Sequence, residues 1–149
     1  MPSSWTQSYF HLVFSTHKRE PLIQPTDEDR LYAFIGGIAR DINCTLIAAG
    51  GMPDHVHLLV RAASDVSLAT IAKETKARSS AWIHEDWHRA EFGWQRGYGG
   101  FTVSRSALAD VERYIRGQKD HRKRQTFQEE FLSLLRLHDV EFDERYVFE

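Results

Sequence analysis

The sequence has 149 residues, enough for one domain with a substantial hydrophobic core and too few for two such domains. Its 42% hydrophobic and 27% charged residues are typical of a globular protein, and no apolar run approaches the roughly 18 residues of a membrane span. The single cysteine, Cys44, excludes an intrachain disulfide, and the N-terminus lacks a signal-peptide pattern, so we expect a cytoplasmic protein with no membrane partner.

Charge is unevenly distributed along the chain. The net charge is −2, but residues 1–127 contain 17 basic and 14 acidic residues, whereas residues 128–149 contain 2 and 7. We therefore distinguish a main body, residues 1–127, from an acidic C-terminal extension of the same domain, residues 128–149. Residues 113–124 contain six basic residues and one acidic residue, which is typical of a solvated helix face and also of a nucleic-acid-binding surface.

The first half of the chain predicts a strand, a helix and two further strands. Residues 9–16 are aromatic, apolar and β-branched, as in a strand. A helix is predicted from Thr26, with Asp29 three residues later as its capping-box partner, because apolar residues then recur at helical spacing. Residues 44–50 and 55–61 predict the second and third strands, joined by a tight turn.

The second half predicts two long helices separated by a strand, and then a short helix. Ser67 caps the second helix, and a Gly-rich stretch leads into the fourth strand. Ser104 or Ser106 caps a third helix that runs to about Lys123, and residues 127–137 predict a short amphipathic helix. The order β-α-β-β-α-β-α is typical of the α+β, ferredoxin-like fold. That fold is an antiparallel sheet with helices on one face and with the first and third strands at its centre.

The predicted third strand, HVHLLVR, carries two histidines on an otherwise apolar strand. Side chains two residues apart point to the same face, so Val56, Leu58 and Val60 face the core. His55 and His57 then lie together on the other face. Two neutral imidazoles on a rigid strand can bind one divalent metal ion. A pair of hydrogen-bonded histidines on a half-exposed sheet face is the alternative.

A second histidine motif, HEDWH, fits the H-E-x-x-H pattern of helical zinc peptidases. It would place His84 and His88 on one helix face with Glu85 as general base. No third ligand follows in a recognised pattern, and the motif falls near the end of the predicted second helix. We therefore interpret these residues as surface histidines near a helix end and keep a zinc peptidase as an alternative.

The predicted third helix contains a polar stripe, formed by Tyr114, Gln118 and His121 at helical spacing. This stripe lies beside an apolar, core-facing stripe, at an edge where a cleft would form. The stripe combines a phenol, an amide and an imidazole with neighbouring arginine and lysine side chains. This combination is suited to a reaction at a phosphate group, and tyrosine is an occasional covalent nucleophile. An amphipathic tyrosine at the rim of the core is the alternative.

Five segments, taken in order, resemble the single-tyrosine HUH (His-hydrophobic-His) transposases. This group includes the single-strand insertion-sequence transposases and the REP-associated tyrosine transposases. The resemblance covers residues 9–148. It implies metal-dependent cleavage and rejoining of single-stranded DNA through a 5′-phosphotyrosine intermediate, in DNA transposition or in the processing of REP-type hairpins. The segments are YFHLVFSTHKREPLI, GGMPDHVHLLV, KARSSAWI, WQRGYGGFTVS and YIRGQKDHRKR.

The resemblance also implies roles for individual residues. His55 and His57 correspond to the histidine pair, and Tyr114 corresponds to the nucleophile. Gln118 matches the position that completes a Mg²⁺ or Mn²⁺ site, and His121 on the same stripe would be auxiliary. The implied partners are hairpin-containing single-stranded DNA and a second copy of the chain. That copy would form an intertwined homodimer whose subunits can share their tyrosine helices.

Seven basic residues are predicted to contact DNA phosphates, with simple solvation or packing at the surface as the alternative for each of them. Trp94 and Tyr98 offer aromatic surfaces on which unpaired bases can stack. A non-catalytic nucleic-acid-binding module on the same fold is the alternative function, although the third strand has no aromatic run typical of RNA-recognition domains. The seven residues are Lys73, Lys76, Arg78, Arg96, Arg105, Arg113 and Lys119.

Overall fold

The computed structural model describes residues 4–121 and 125–148, except for the side chain of His121. The described residues form four strands: β1 (Ser8–Ser15), β2 (Thr45–Met52), β3 (His55–Ala62) and β4 (Gly99–Val103). These strands make one antiparallel sheet in the order β2-β3-β1-β4. The predicted α+β, ferredoxin-like class is confirmed, and β1 and β3 are the central strands as expected.

The described residues also form five α-helices: α1 (Glu28–Asp41), α2 (Leu68–Asp86), α3 (Leu108–Arg116), α4 (Gln118–His121) and α5 (Phe127–Leu137). Ser67 caps α2, as predicted. The predicted cap at Thr26 is wrong, because a 3-10 turn at Pro25–Asp27 precedes α1 and the capping box joins Gln24 to Asp27. Proline is favoured at the first helical position, so the turn begins earlier than the apolar periodicity indicates. None of these helices in the described residues has the length and hydrophobicity needed to cross a membrane.

The predicted third helix is divided into two elements. Ser104 caps a 3-10 turn that leads into α3, and α3 ends at Arg116 with Gly117 as its C-cap. Glycine is, after proline, the weakest helix former, so the helical path is interrupted there. The chain then makes the single turn α4 from Gln118. The last residues of the predicted helix, 122–124, lie outside the described part of the chain.

Helices cover both faces of the sheet. α1 and α2 pack on the face that contains Val56, Leu58 and Val60, in agreement with the predicted alternation of β3. α3 packs on the opposite face, where Ile115 contacts Leu59, and α5 packs beside it on β1 and β4. The prediction that all helices lie on one face of the sheet therefore holds for α1 and α2 only. The reason is that the central strands carry apolar side chains on both faces, and both faces must be covered.

The close approach of α3 to β2 depends on a glycine. A Cβ atom on Gly50 would lie only 2.1 Å from the carbonyl oxygen of Ile115, so no other residue fits without moving the helix. This contact holds the C-terminal end of α3 against the sheet. It thereby fixes the position of Tyr114, which precedes Ile115.

Candidate active site

His55 and His57 lie side by side on β3, on the sheet face that α3 and α5 cover. Both side chains are buried, and their ring centroids are 5.2 Å apart. His55 follows the β2–β3 turn directly, and Asp54 in that turn contacts its Nδ1 atom at 2.7 Å. The two imidazoles therefore lie next to each other, both buried, at the start of a central strand.

A third histidine, His11 on β1, belongs to the same cluster. Its Nε2 atom is hydrogen-bonded to Nδ1 of His57 at 2.9 Å, and its side chain is buried. In the register of β1 and β3, Val13 lies opposite His57, so His11 is a diagonal neighbour on the same face. The contact leaves Nε2 of His57 directed toward α5. His11 was not among the predicted site residues.

Glu130 of α5 brings a carboxylate into the cluster. Its Oε1 atom lies 3.2 Å from Nε2 of His55 and 3.0 Å from Nε2 of His57. Its Oε2 atom accepts hydrogen bonds from the Tyr114 hydroxyl and, at 3.2 Å, from Nε2 of Gln118. One carboxylate thus joins the histidine pair to the two polar residues of the helical stripe.

The sequence contains a signal for Glu130 that the prediction missed. The apolar stripe of α5 includes Phe127, Phe131 and Leu135, and Glu130 lies three residues after Phe127 on this buried side. An acidic residue within an apolar stripe is uncommon, because an ionised carboxylate is buried only with partners. The acidic extension, residues 128–149, therefore contributes a residue to the centre of the site.

Tyr114 and Gln118 lie beside the histidines even though Gly117 interrupts the helix between them. The Tyr114 ring centroid is 5.6 Å from that of His57 in the same chain. The Oε1 atom of Gln118 is 3.2 Å from Nε2 of His55, and the Gln118 side chain is buried. Tyr114 is partly buried, and its hydroxyl is directed into the cluster by the hydrogen bond to Glu130. Burial and the hydrogen bond to Glu130 raise the pKa of Tyr114 above its usual value.

Burial and neighbouring charges shift the pKa values of the side chains in the cluster in different directions. Burial, with His57 acting in the same direction, lowers the pKa of His11 to about 3, so His11 is neutral at pH 7. Burial also opposes protonation of His55, but its hydrogen bonds to Asp54 and Glu130 outweigh this effect and raise its pKa to about 9. For Glu130, hydrogen bonds with His55 and His57 outweigh burial and hold the pKa far below its usual range. His55 and Glu130 thus form a buried imidazolium–carboxylate pair.

The donor atoms of His55, His57 and Glu130 fit a divalent metal ion. One ligand atom from each lies within 4.8 Å of the other two, and the three residues are buried. The spacings of 3.0 and 3.2 Å between Glu130 Oε1 and the two imidazole nitrogens are those of adjacent ligands around an ion with bonds of about 2.1 Å. Two imidazoles and a carboxylate suit a first-row transition ion.

The predicted DNA-contacting residues have different surroundings. Lys73, Arg96 and Arg105 have exposed side chains. The ammonium of Lys119 instead contacts both carboxylate oxygens of Glu28 and a backbone carbonyl, so it holds α4 against α1. The other three have protein partners: Arg78 with Asp41, Arg113 with Asp110, and Lys76 with the carbonyls of Arg96 and Gly97.

The H-E-x-x-H segment does not form a metal cluster in the described residues. α2 ends at Asp86, and His88 follows it with a left-handed φ of 54°, so His84 and His88 do not share a helix face. Nε2 of His84 lies 2.6 Å from the carbonyl oxygen of Phe92. The prediction of surface histidines near a helix end agrees with this geometry, and the zinc peptidase alternative loses its structural basis.

The fold and this cluster are consistent with one class, the single-tyrosine HUH transposases, and His55-Val56-His57 has the His-hydrophobic-His pattern of that class. The particular family follows from comparison with known families. The family model described as "Transposase IS200 like" matches residues 4–118, and the chain belongs to this family. The family is one of DNA transposases, proteins that bind, cleave and transfer DNA strands.

Individual relatives agree with this assignment. The ISDra2 transposase TnpA of Deinococcus radiodurans is 27% identical over 120 residues, which cover 76% of this chain and 86% of the relative. A crystal structure of a Deinococcus radiodurans R1 protein described as a transposase has a TM-score of 0.64 at 25% identity, covering 77% of this chain and 93% of that one. A REP-associated tyrosine transposase bound to a REP hairpin has a TM-score of 0.56 at 14% identity, covering 77% and 68%, and supports the fold alone.

Proposed function

We propose that this protein cleaves and rejoins single-stranded DNA, with Tyr114 as the nucleophile and a divalent metal ion held beside it. The observation that carries the proposal is the shared carboxylate of Glu130. One of its oxygens contacts both imidazoles of the histidine pair, and the other accepts the hydrogen bond of the Tyr114 hydroxyl. The family supports DNA as the substrate. The proposal takes a hairpin-containing single strand as the partner, which is the kind of DNA bound in the solved REP-associated tyrosine transposase of the same fold.

In the cleavage step, Tyr114 Oη attacks the phosphorus of a phosphodiester. The Oη–P bond forms as the P–O3′ bond breaks, which gives a 5′-phosphotyrosine and a strand with a free 3′ end. The hydrogen bond to Glu130 Oε2 orients Oη for the attack, the phenol proton passes to water, and the departing 3′-oxygen takes a proton from water. A second 3′-hydroxyl can reverse the reaction and rejoin strands without ATP, because the phosphotyrosine conserves the bond energy.

The residues that would hold Mg²⁺ or Mn²⁺ are His55, His57 and Glu130. When bound, the ion supplies Lewis-acid polarisation of the scissile phosphate and neutralises charge in the transition state. Donation of Nδ1–H from His57 to His11 would fix the tautomer in which Nε2 of His57 carries the lone pair. Gln118 Oε1, 3.2 Å from Nε2 of His55, would complete the ligand set. The two nitrogen ligands fit Mn²⁺ better than Mg²⁺.

The catalytic unit in this proposal is one domain that includes the C-terminal extension, and it acts as a homodimer. Contacts of Glu130 and Phe131 with the site and the sheet support the inclusion of residues 128–149. The ring distance of 5.6 Å between Tyr114 and His57 of one chain supports cleavage in cis. The dimer is therefore not required to bring the nucleophile to the histidine pair.

The experiment that tests the proposal is the capture of a covalent protein–DNA adduct. Hairpin-bearing single strands, labelled at either the 5′ or the 3′ end, are incubated with the protein and Mn²⁺ and separated on a denaturing gel. The 3′-labelled piece should migrate with the protein, because Tyr114 retains the 5′ phosphate. The 5′-labelled piece should be released with a free 3′-hydroxyl.

Two variants and a chelator complete the test. Tyr114→Phe should form no adduct, whereas Tyr146→Phe, which removes the hydroxyl of an exposed tyrosine, should match the wild type. EDTA should abolish the adduct. An adduct in Tyr114→Phe would refute the assigned nucleophile. DNA binding without an adduct in the wild type, unaffected by EDTA and by His57→Ala, would favour the non-catalytic binding module instead.

A further inference from the structure

Three surface clefts lie next to one another and share lining residues in pairs. The first, of about 540 Å³, contains His55, Gln118 and Glu130 and is also lined by Lys18 and Arg19. The second, of about 550 Å³, shares Lys18 and Arg19 with the first and continues to Gln95 and Arg96. The third, of about 470 Å³, shares Gln95 and Arg96 with the second and ends against α2. Because neighbouring clefts share lining residues, they follow one another along the surface from the active site, and we call this series of clefts the groove.

The groove is basic although the chain as a whole is acidic. Outside the active-site cleft, the described lining residues include five cations and no carboxylate, whereas the net charge of the chain is −2. Near the active site the two acidic lining residues, Asp54 and Glu130, are bonded to the histidine pair. The positive charge is therefore available to an anionic ligand. The five cations are Lys18, Arg19, Lys73, Lys76 and Arg96.

The backbone presents two of these cations in an unusual conformation. Lys18 and Arg19 have left-handed φ values of 54° and 57°, which residues other than glycine rarely adopt. The turn is held by the Arg19 amide and the Thr16 hydroxyl, which donate to the carbonyls of Thr16 and Glu20. Strained backbone of this kind is found at ligand-binding segments, where the surrounding structure stabilises it. It places both side chains along the walls of two adjoining clefts.

The far end of the groove offers an aromatic surface. Tyr98 is 37% exposed and lines the third cleft, and the Lys76 ammonium lies 5.9 Å from its ring centroid. Lys76 also donates to the carbonyls of Arg96 and Gly97, at 3.0 and 2.9 Å, so it anchors the loop that presents Tyr98. Trp94 in the same loop donates its Nε1–H to Ser79 and packs inward. Tyr98 is thus the aromatic residue of this loop that is available for stacking.

We infer that this groove binds the unpaired DNA strand that extends from the scissile phosphate. Lys18, Arg19, Lys73 and Arg96 bind its phosphates, and Tyr98 stacks on one of its bases. Single-stranded DNA is favoured over a duplex because an exposed aromatic ring needs an unpaired base as its partner. The inference rests on the proposed function, since the groove begins at the proposed catalytic cluster.

The test measures DNA affinity separately from chemistry. The anisotropy of a fluorescent single strand, and of a blunt hairpin without an unpaired arm, is measured in EDTA over a range of salt concentrations. Arg19→Gln/Arg96→Gln should lower affinity for the single strand roughly tenfold at low salt. It should also reduce the slope of log K against log salt by about 1.4, or about 0.7 per lost phosphate contact. Tyr98→Ala should lower affinity at least about fivefold with the slope unchanged, and Tyr98→Phe should restore it.

A matched control lies at the other end of β3. Arg61→Gln removes an exposed arginine outside the groove and should leave single-strand affinity unchanged. The inference would be overturned if the groove variants bound the single strand as tightly as this control. It would also be overturned if the groove variants lost as much affinity for the blunt hairpin as for the single strand. Adduct formation distinguishes the two proposals. If groove variants lose affinity while the wild type forms no adduct in Mn²⁺, the groove stands and the proposed chemistry fails. If adducts form normally at all DNA concentrations in the groove variants, the chemistry stands and the groove fails.

Discussion

Replacement of Glu130 by glutamine tests whether its carboxylate is a metal ligand. The change keeps the size of the side chain but removes the charge that faces His55 and His57. In the absence of metal, loss of one buried charge-assisted hydrogen-bond partner should lower the free energy of unfolding by about 2 kcal/mol. The more informative effect is on stabilisation by metal, because only a folded site brings the three donors together.

The expected magnitude follows from linkage. At a Mn²⁺ concentration one hundred times the dissociation constant, binding stabilises the wild type by about 2.7 kcal/mol. For a chain of this size that is an increase in Tm of roughly 10 °C. If Glu130→Gln weakens binding about a hundredfold, the same concentration gives about 0.4 kcal/mol and an increase of roughly 1–2 °C.

The assay is thermal unfolding with and without Mn²⁺, followed by circular dichroism. Glu141→Gln is the control, since Glu141 is an exposed acid of the same C-terminal extension, and its response to Mn²⁺ should equal that of the wild type. An undiminished Mn²⁺ shift in Glu130→Gln would refute Glu130 as a ligand. If Gln118→Ala then abolished the shift, the ligand set of His55, His57 and Gln118 implied by the family resemblance would be correct without Glu130.

Three further predictions concern positioning, packing and pH. His11→Phe removes the hydrogen-bond partner of His57 Nδ1 and should therefore lower the affinity for Mn²⁺ about 10- to 100-fold, as measured by titration calorimetry. The control variant His138→Phe should leave this affinity unchanged. Gly50→Ala should lower the free energy of unfolding, measured in urea, by about 2–3 kcal/mol, because the added Cβ would meet the Ile115 carbonyl. The control is Gly97→Ala, which has open space around the added Cβ and should change the free energy of unfolding by less than about 0.5 kcal/mol. Hydrogen bonds from Arg89, Arg30 and the Gln24 amide outweigh burial and lower the pKa of Asp27, so its stabilisation is present above about pH 4 and is lost as pH falls toward the lowered value. Urea unfolding between about pH 4 and 2 should therefore be less pH-dependent in Asp27→Asn than in the wild type, and equal slopes would contradict the assignment.

The elements that could be predicted from the sequence are those set by local periodicity. The alternation of β3 required His55 and His57 to share a face, and the structure has both on the face opposite Val56 and Leu58. Helical spacing in the same way grouped Tyr114 with Gln118. Both patterns depend on residues a few positions apart, where backbone geometry leaves few alternatives. The order of the elements was sufficient for the fold class, because few topologies suit it.

Local pattern did not extend to residues that meet only through the fold. Glu130 is 73 positions from His57, and His11 is 46 positions from it, so no spacing rule connects them. The packing of α3 and α5 on the second face of the sheet brings Glu130 to the cluster. The partners of charged side chains were likewise not predictable from local pattern. Lys119 was counted with the DNA-binding residues, yet its ammonium is held by Glu28.

By itself, therefore, the sequence determined the order of strands and helical segments, the shared face of His55 and His57, and the resemblance to the single-tyrosine transposases. Each of these depends on the order and short-range spacing of residues. The tertiary structure alone decided that Glu130 and His11 complete the cluster, that Tyr114 lies beside the histidine pair of its own chain, and which cations line the groove from the active site. Those features depend on long-range packing, in which a side chain's partners are chosen by the whole fold rather than by its neighbours in the chain.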